Sequence, residues 1–165
     1  MSKSSVFLIG MMGAGKTTVG RYLAEELNYQ FIDTDTLVEK KEKRSIETIF
    51  KDSGEDYFRN IECEIIAQFK NQLVVYASGG GFPIYNGNID KIKEIGKVVY
   101  LKTSIKELLK NRIKDNLDRP MFTNKNSFKS LLKQRESIYL EADFVVTTDS
   151  KNPKEVVREI RLLID

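Results

Sequence analysis

The sequence predicts an α/β fold, a five-stranded parallel sheet with helices on both faces. Three observations carry this. Short, nearly continuous apolar runs recur along the chain, parted by stretches of helical periodicity, as expected of strands buried on both sides. The first run, Val6-Phe7-Leu8-Ile9, leads straight into Gly10-Met11-Met12-Gly13-Ala14-Gly15-Lys16-Thr17-Thr18, which fits the phosphate-binding pattern G-x-x-x-x-G-K-[ST] in a strand–turn–helix setting. Finally, acidic or glycine clusters follow the strands directly, where open parallel sheets bind their ligands.

Taken in order, a strand over about 5–10 is followed by a helix from Gly15 to about Asn28, with Val19, Leu23 and Leu27 on one face. Gln30-Phe31-Ile32-Asp33 is the second strand and ends in Asp33-Thr34-Asp35. Two helices are expected next, about 35–52 and 55–71, parted by Ser53-Gly54; the second carries Phe58, Ile61, Ile65 and Phe69 at helical spacing. Leu73-Val74-Val75-Tyr76-Ala77 is a buried strand that breaks at Gly79-Gly80-Gly81. Val98-Val99-Tyr100-Leu101 is another, followed by a helix bearing Ile105, Leu108 and Leu109. A polar stretch, about 114–125, precedes a helix with Phe128, Leu131, Leu132 and Tyr139. After the last strand, Phe144-Val145-Val146, Asn152 caps and Pro153 opens a helix with Val156, Ile160 and Leu163 inward.

The 165 residues suit one domain, 1–165, since no Pro/Gly/Ser-rich linker divides them. Hydrophobic content of 41% and charged content of 31% describe an ordinary globular protein. A net charge of +3 with scattered lysines argues against nucleic acid as a partner. No apolar run reaches membrane-spanning length, and the early first strand leaves no room for a signal peptide. The lone Cys63, read as a core or boundary residue, excludes an internal disulfide and points to a reducing cytoplasm. No surplus apolar face remains once the core helices are assigned, which predicts a monomer. The chain has no histidine, so acid–base chemistry must fall to carboxylates or lysines.

The glycine loop predicts a nucleotide site. Its N–H groups and the following helix N-terminus would cradle phosphate, with Gly13, Ala14, Gly15, Lys16, Thr17 and Thr18 as contacts. Lys16 reaches the outer phosphates and the Thr17 hydroxyl suits Mg²⁺. Asp33 and Asp35 point in different directions from an extended turn, so one can serve Mg²⁺ through water while the other faces an acceptor hydroxyl; alternatively, one simply caps the next helix. Arg59 has Glu62 at i+3, and by spacing alone an exposed salt bridge is the simpler account. Arg135 falls on its helix's apolar stripe, so either an anion or carboxylate meets it or it snorkels to the flank. Gly79, Gly80 and Gly81 suit close approach of a ligand to the backbone, or else a plain turn. The stretch Lys114–Pro120 is either a solvated loop or a lid that brings Arg119 onto a transferring phosphate.

Across nearly its whole length the chain resembles the shikimate kinases. The resemblance rests on the glycine loop, Asp33-Thr34-Asp35, Phe58-Arg59 with Glu62, Ser78-Gly79-Gly80-Gly81, Arg119-Pro120, and Arg135 ahead of Tyr139. It implies a P-loop NTPase fold similar to the nucleoside monophosphate kinases, and transfer of the γ-phosphate of ATP to the 3-hydroxyl of shikimate on the route to chorismate. By the same resemblance, Arg59 and Arg135 hold the shikimate carboxylate, and Asp35 and Gly81 fix its hydroxyls. Thr17 and Asp33 serve Mg²⁺, Arg119 closes over the phosphates, and Arg112 and Pro153 flank adenine. Catalysis would then fall to Lys16, Asp35 and Arg119. The implied division is a core of 1–33, 73–111 and 143–165, a substrate-binding region of about 34–62, and a lid of about 112–125. The chain departs from the family in having Thr17 for the commoner serine and Met121-Phe122 after Arg119-Pro120.

Other kinases of this fold, acting on gluconate or nucleotides, are the alternative; a nucleotide acceptor would call for a base-reading pocket. A GTP-dependent switch would read guanine through Asn-Lys-x-Asp, and the nearest match, Asn124-Lys125-Asn126-Ser127, lacks the aspartate.

Overall fold

The structure, a computed structural model, describes residues 4–70, 72–114 and 125–165, with 112–114 as backbone only. Five parallel strands form one sheet: β1 (Ser5–Ile9), β2 (Gln30–Asp33), β3 (Val74–Ala77), β4 (Gly96–Lys102) and β5 (Phe144–Thr147), in the order β2-β3-β1-β4-β5. β1 is wholly buried and pairs with β3 on one side (Val6 opposite Val75) and β4 on the other (Phe7 opposite Val98). The chain leaves β1 for β2 in one direction and later reaches β4 in the other. The crevice at this reversal therefore opens beyond the carboxyl ends of β1 and β3.

The helices are α1 (Lys16–Leu27), α2 (Thr34–Glu42), α3 (Ile46–Ile66), α4 (Asn88–Ile95), α5 (Ile105–Lys114), α6 (Lys125–Tyr139) and α7 (Pro153–Ile164). The predicted break at Ser53-Gly54 is a kink rather than an end. Gly54 takes φ 80°, and the helix resumes beyond it. The real break lies earlier, where Lys43 turns left-handed and the Ser45 hydroxyl accepts the N–H of Thr48 to start α3. α4 is absent from the sequence prediction. It is two turns long, with Ile89 and Ile92 buried. At the C-terminus Asn152 and Glu155 form a reciprocal capping box, with Pro153 at the helix start as expected. Its inward face is Val156, Val157, Ile160 and Ile164, whereas Leu163 is 41% exposed.

The main core surrounds β1 and β3 and includes Phe7, Tyr76, Tyr100 and Tyr139. A second apolar cluster, Val38, Ile49, Phe58, Ile61 and Ile65, lies between α2 and α3. It gives the segment after β2 packing of its own beside the crevice. Among the described residues, no helix is long and apolar enough to cross a membrane.

Candidate active site

The glycine-loop side of the crevice is backbone. Between β1 and α1 the loop takes positive φ at Gly10, Gly13 and Gly15, and Ala14 N–H closes it onto the Met11 carbonyl at 3.2 Å. Among the described residues no side chain caps the N-terminus of α1, so its first N–H groups face the loop's concavity. The buried Lys16 ammonium donates to the Gly10 and Met11 carbonyls at 2.7 Å each. The Thr17 hydroxyl donates to Asp33 Oδ2 at 3.1 Å, and Asp33 Oδ1 accepts the Asp35 N–H at 2.9 Å. Asp33 therefore both caps α2 and meets Thr17. Asn111, which no sequence motif singles out, donates to the Gly13 carbonyl at 2.8 Å and ties α5 to the loop.

The opposite side of the crevice is side chains. Arg59 and Glu62 are buried, against the expectation of an exposed pair: their side chains are 8% and 1% accessible, with Nη1 donating to Glu62 Oε2 at 2.8 Å. The kink at Gly54 and the α2–α3 cluster carry this stretch of helix inward. Glu55 accepts from Nε and Nη2 on the far edge, and the Tyr85 ring lies 4.2 Å from the guanidinium. Burial pushes the Glu62 carboxyl up to about 7 against the opposing pull of Arg59. Glu62 Oε1 and Arg135 Nη1 are both buried with no hydrogen-bond partner among the described residues. Arg135 does not snorkel; it is 4% exposed.

The three glycines after β3 seat these groups. A Cβ on Gly79 would lie 2.6 Å from Asp35 Oδ1, one on Gly80 3.1 Å from Arg135 Nη1, and one on Gly81 2.5 Å from Arg59 Nη2. None of the three has positive φ. They are glycine because the side chains of Asp35, Arg135 and Arg59 occupy the space that their own would fill, rather than for a bound ligand or a plain turn. Thr34 fixes the turn by accepting the Gly79 N–H at 3.1 Å.

Two cavities among the described residues bear on this arrangement. The larger, about 780 Å³, is lined by Asp35, Phe58, Arg59, Glu62, Gly81 and Arg135 among others. The smaller, about 200 Å³, is lined by Gly13, Gly15, Lys16, Thr17, Thr18 and Ser78 among others. Met12, Asp33, Asp35, Gly79 and Gly80 line both, so the phosphate loop and the arginine pocket share one wall. Ala14 belongs to the same loop. Pro153 opens α7 but lines neither cavity. Arg119 and the segment 115–124 lie outside the described residues, as does the side chain of Arg112.

A nucleotide loop walled against a pocket of buried arginines defines a P-loop kinase for a small anionic hydroxy compound, on a nucleoside monophosphate kinase-like fold. The shikimate kinase family model matches residues 12–165, and the chain belongs to that family, whose members phosphorylate a hydroxyl at the expense of ATP. It is 46% identical over 146 residues to a shikimate kinase of Clostridium botulinum strain Langeland, covering 86% of each chain. It is similar to the structure of an Acinetobacter baumannii shikimate kinase in complex with shikimate, with TM-score 0.89 and 34% identity over 99% of this chain and 93% of that one. A gluconokinase from Sinorhizobium meliloti 1021 superimposes with TM-score 0.68 at 20% identity, over 98% and 91% of the two chains, and shares the fold alone.

Proposed function

We propose that this chain transfers the γ-phosphate of ATP to the 3-hydroxyl of shikimate, giving shikimate 3-phosphate and ADP, with ATP on the glycine loop and shikimate in the arginine pocket. The observation that carries the division of labour is the shared wall: Asp35 lines both cavities, at the boundary a phosphoryl group must cross. Arg59 and Arg135 supply two buried guanidinium groups for a single carboxylate, a geometry that suits bidentate pairing. Asp35, seated on Gly79, orients the acceptor hydroxyl and accepts its proton as transfer proceeds. Gly80 and Gly81 complete the wall against which the ring lies.

Lys16 holds the outer phosphates together with the loop N–H groups of residues 13–18. To do so its ammonium exchanges the Gly10 and Met11 carbonyls for phosphate oxygens. Thr17 and Asp33 fit Mg²⁺, since a hydroxyl and a carboxylate already in contact offer hard oxygen donors of the kind this ion takes alongside phosphate and water. When bound, Mg²⁺ neutralises charge on the phosphate oxygens. Arg119 would close over the phosphates, and Arg112 and Pro153 would border adenine.

The chain is read as one kinase domain, 1–165, with core segments 1–33, 73–111 and 143–165, an acceptor region of about 34–62 and a lid of about 112–125. The separate apolar cluster between α2 and α3 supports this division. A cytoplasmic enzyme acting as a monomer is the matching setting.

A coupled assay of ATP consumption across shikimate, gluconate and nucleoside monophosphates tests the reading. Shikimate alone should drive ADP release. Turnover indifferent to shikimate would overturn it.

A further inference from the structure

We infer that Tyr139 is a positioning residue for the acceptor, its hydroxyl fixing the Gly80 peptide against which the Arg135 guanidinium is seated; this rests on the function proposed above. A fully buried ring on α6 packed 5.1 Å from Tyr100 would serve the core equally well as phenylalanine. The oxygen is what needs explaining. It donates to the Gly80 carbonyl at 2.6 Å and lies 3.7 Å from the sulfur of Met11 in the phosphate loop. Arg135 lies one helical turn earlier on α6, and its Nη1 packs against the same Gly80.

A phenol has one proton, and here the carbonyl takes it. One consequence is that the Gly80 peptide is held onto α6. Another is that the wall beside Arg135 is fixed, since Nη1 packs where a Gly80 Cβ would stand and keeps no hydrogen-bond partner among the described residues. That seat selects which N–H groups of Arg135 meet the acceptor carboxylate. Burial pushes the phenol up to about 12, so it remains a donor at any working pH.

Tyr139→Phe keeps the ring and removes only the oxygen. With shikimate and ATP varied separately, the shikimate KM should rise about tenfold while kcat and the ATP KM stay within about twofold. Combined with Arg135→Lys, the losses in shikimate KM should multiply to less than their product, because one residue acts through the other. An unchanged shikimate KM in the folded variant, equal rises in both KM values, or full multiplicative losses would each overturn the inference.

Should Tyr139→Phe fail to fold, the wild-type protein gives the answer by NMR. The Tyr139 hydroxyl proton should shift on saturation with shikimate and not with ADP; no shift with shikimate overturns the inference equally. A wild-type protein that does not phosphorylate shikimate is a separate result, read before any variant, and overturns the proposed function itself.

Discussion

Two glycine-rich turns leave neighbouring strands of the same sheet, and they need glycine for opposite reasons. After β1 the loop needs it for backbone conformation, with φ of 140°, 87° and 85° at Gly10, Gly13 and Gly15. After β3 the backbone is ordinary, and glycine is needed because Asp35, Arg135 and Arg59 stand where side chains would be. The first turn offers its own N–H groups and is contained in nine consecutive residues, Gly10–Thr18. The second binds nothing alone; it is a seat for groups brought from 22 to 55 positions away, Arg59 on Gly81, Asp35 on Gly79 and Arg135 on Gly80. A donor site can therefore be local, while an acceptor site built from buried charges must be assembled from several elements, each charge held by its neighbours.

The contrast can be broken at its strongest point first. Asp35→Asn should lower kcat by about a hundredfold or more while leaving ADP affinity, read by calorimetry, nearly unchanged; full activity would remove Asp35 from the reaction. Next, Arg135→Ala should raise the shikimate KM by about thirtyfold, with ATP affinity little altered, as the loss of a buried charge-assisted pair predicts. Equal damage to both substrates would mean that the two sides are not separable.

The two turns themselves make the sharper pair. An alanine at Gly81 meets the Arg59 guanidinium, which Glu62 and Glu55 hold, so Gly81→Ala should raise the shikimate KM about tenfold with ATP affinity little altered, and lower Tm by straining that buried pair. An alanine at Gly10 meets the Leu101 carbonyl at 2.8 Å and must adopt positive φ. Gly10→Ala should therefore cost about 2 kcal/mol of stability, read by thermal denaturation, and weaken ATP binding as well.

The smallest effect is one of slope. Glu62 sits at about 7 in the folded protein against 4.5 as its ordinary value. Between those values the folded state keeps a proton that the unfolded state has lost, so this group's contribution to stability is full below about 4.5 and is lost as pH rises through about 7. Urea titrations of wild type and Glu62→Gln should show the wild type losing stability relative to the variant across that window. Parallel curves would place the Glu62 carboxyl back in the ordinary range.

The same contrast explains how much could be read from the chain. The donor loop was legible because strand, glycine spacing and lysine are contiguous, and the five strands were legible because central parallel strands are uninterrupted apolar runs. Arg135 was legible as a cation on an apolar stripe, but spacing left open whether it was buried. Arg59 with Glu62 showed the period of any surface ion pair; only tertiary packing of α3 places both inside. The α2–α3 break was hidden because Lys43 and Ser45 lie in a charged run with neither glycine nor proline, whereas Gly54 advertised a break that packing reduces to a kink. α4 escaped because two buried isoleucines over two turns are too few to show a period. Tyr139 and Asn111 act through single hydrogen bonds to distant carbonyls, and no local pattern announces such a bond.

Strand order has a consequence for biosynthesis. β1 occupies the middle of the sheet, yet its partners are Val75 on one side and Lys97 on the other for the single residue Val6. On a ribosome adding about 5–20 residues per second, this apolar strand waits several seconds for its first neighbour and longer for its second. Until then both of its edges invite foreign strands. Nascent chains of this protein should accordingly be clients of ribosome-associated chaperones through the segment Ser5–Ile9, and slow translation between β1 and β4 should lower the soluble yield more than the same delay after Lys102.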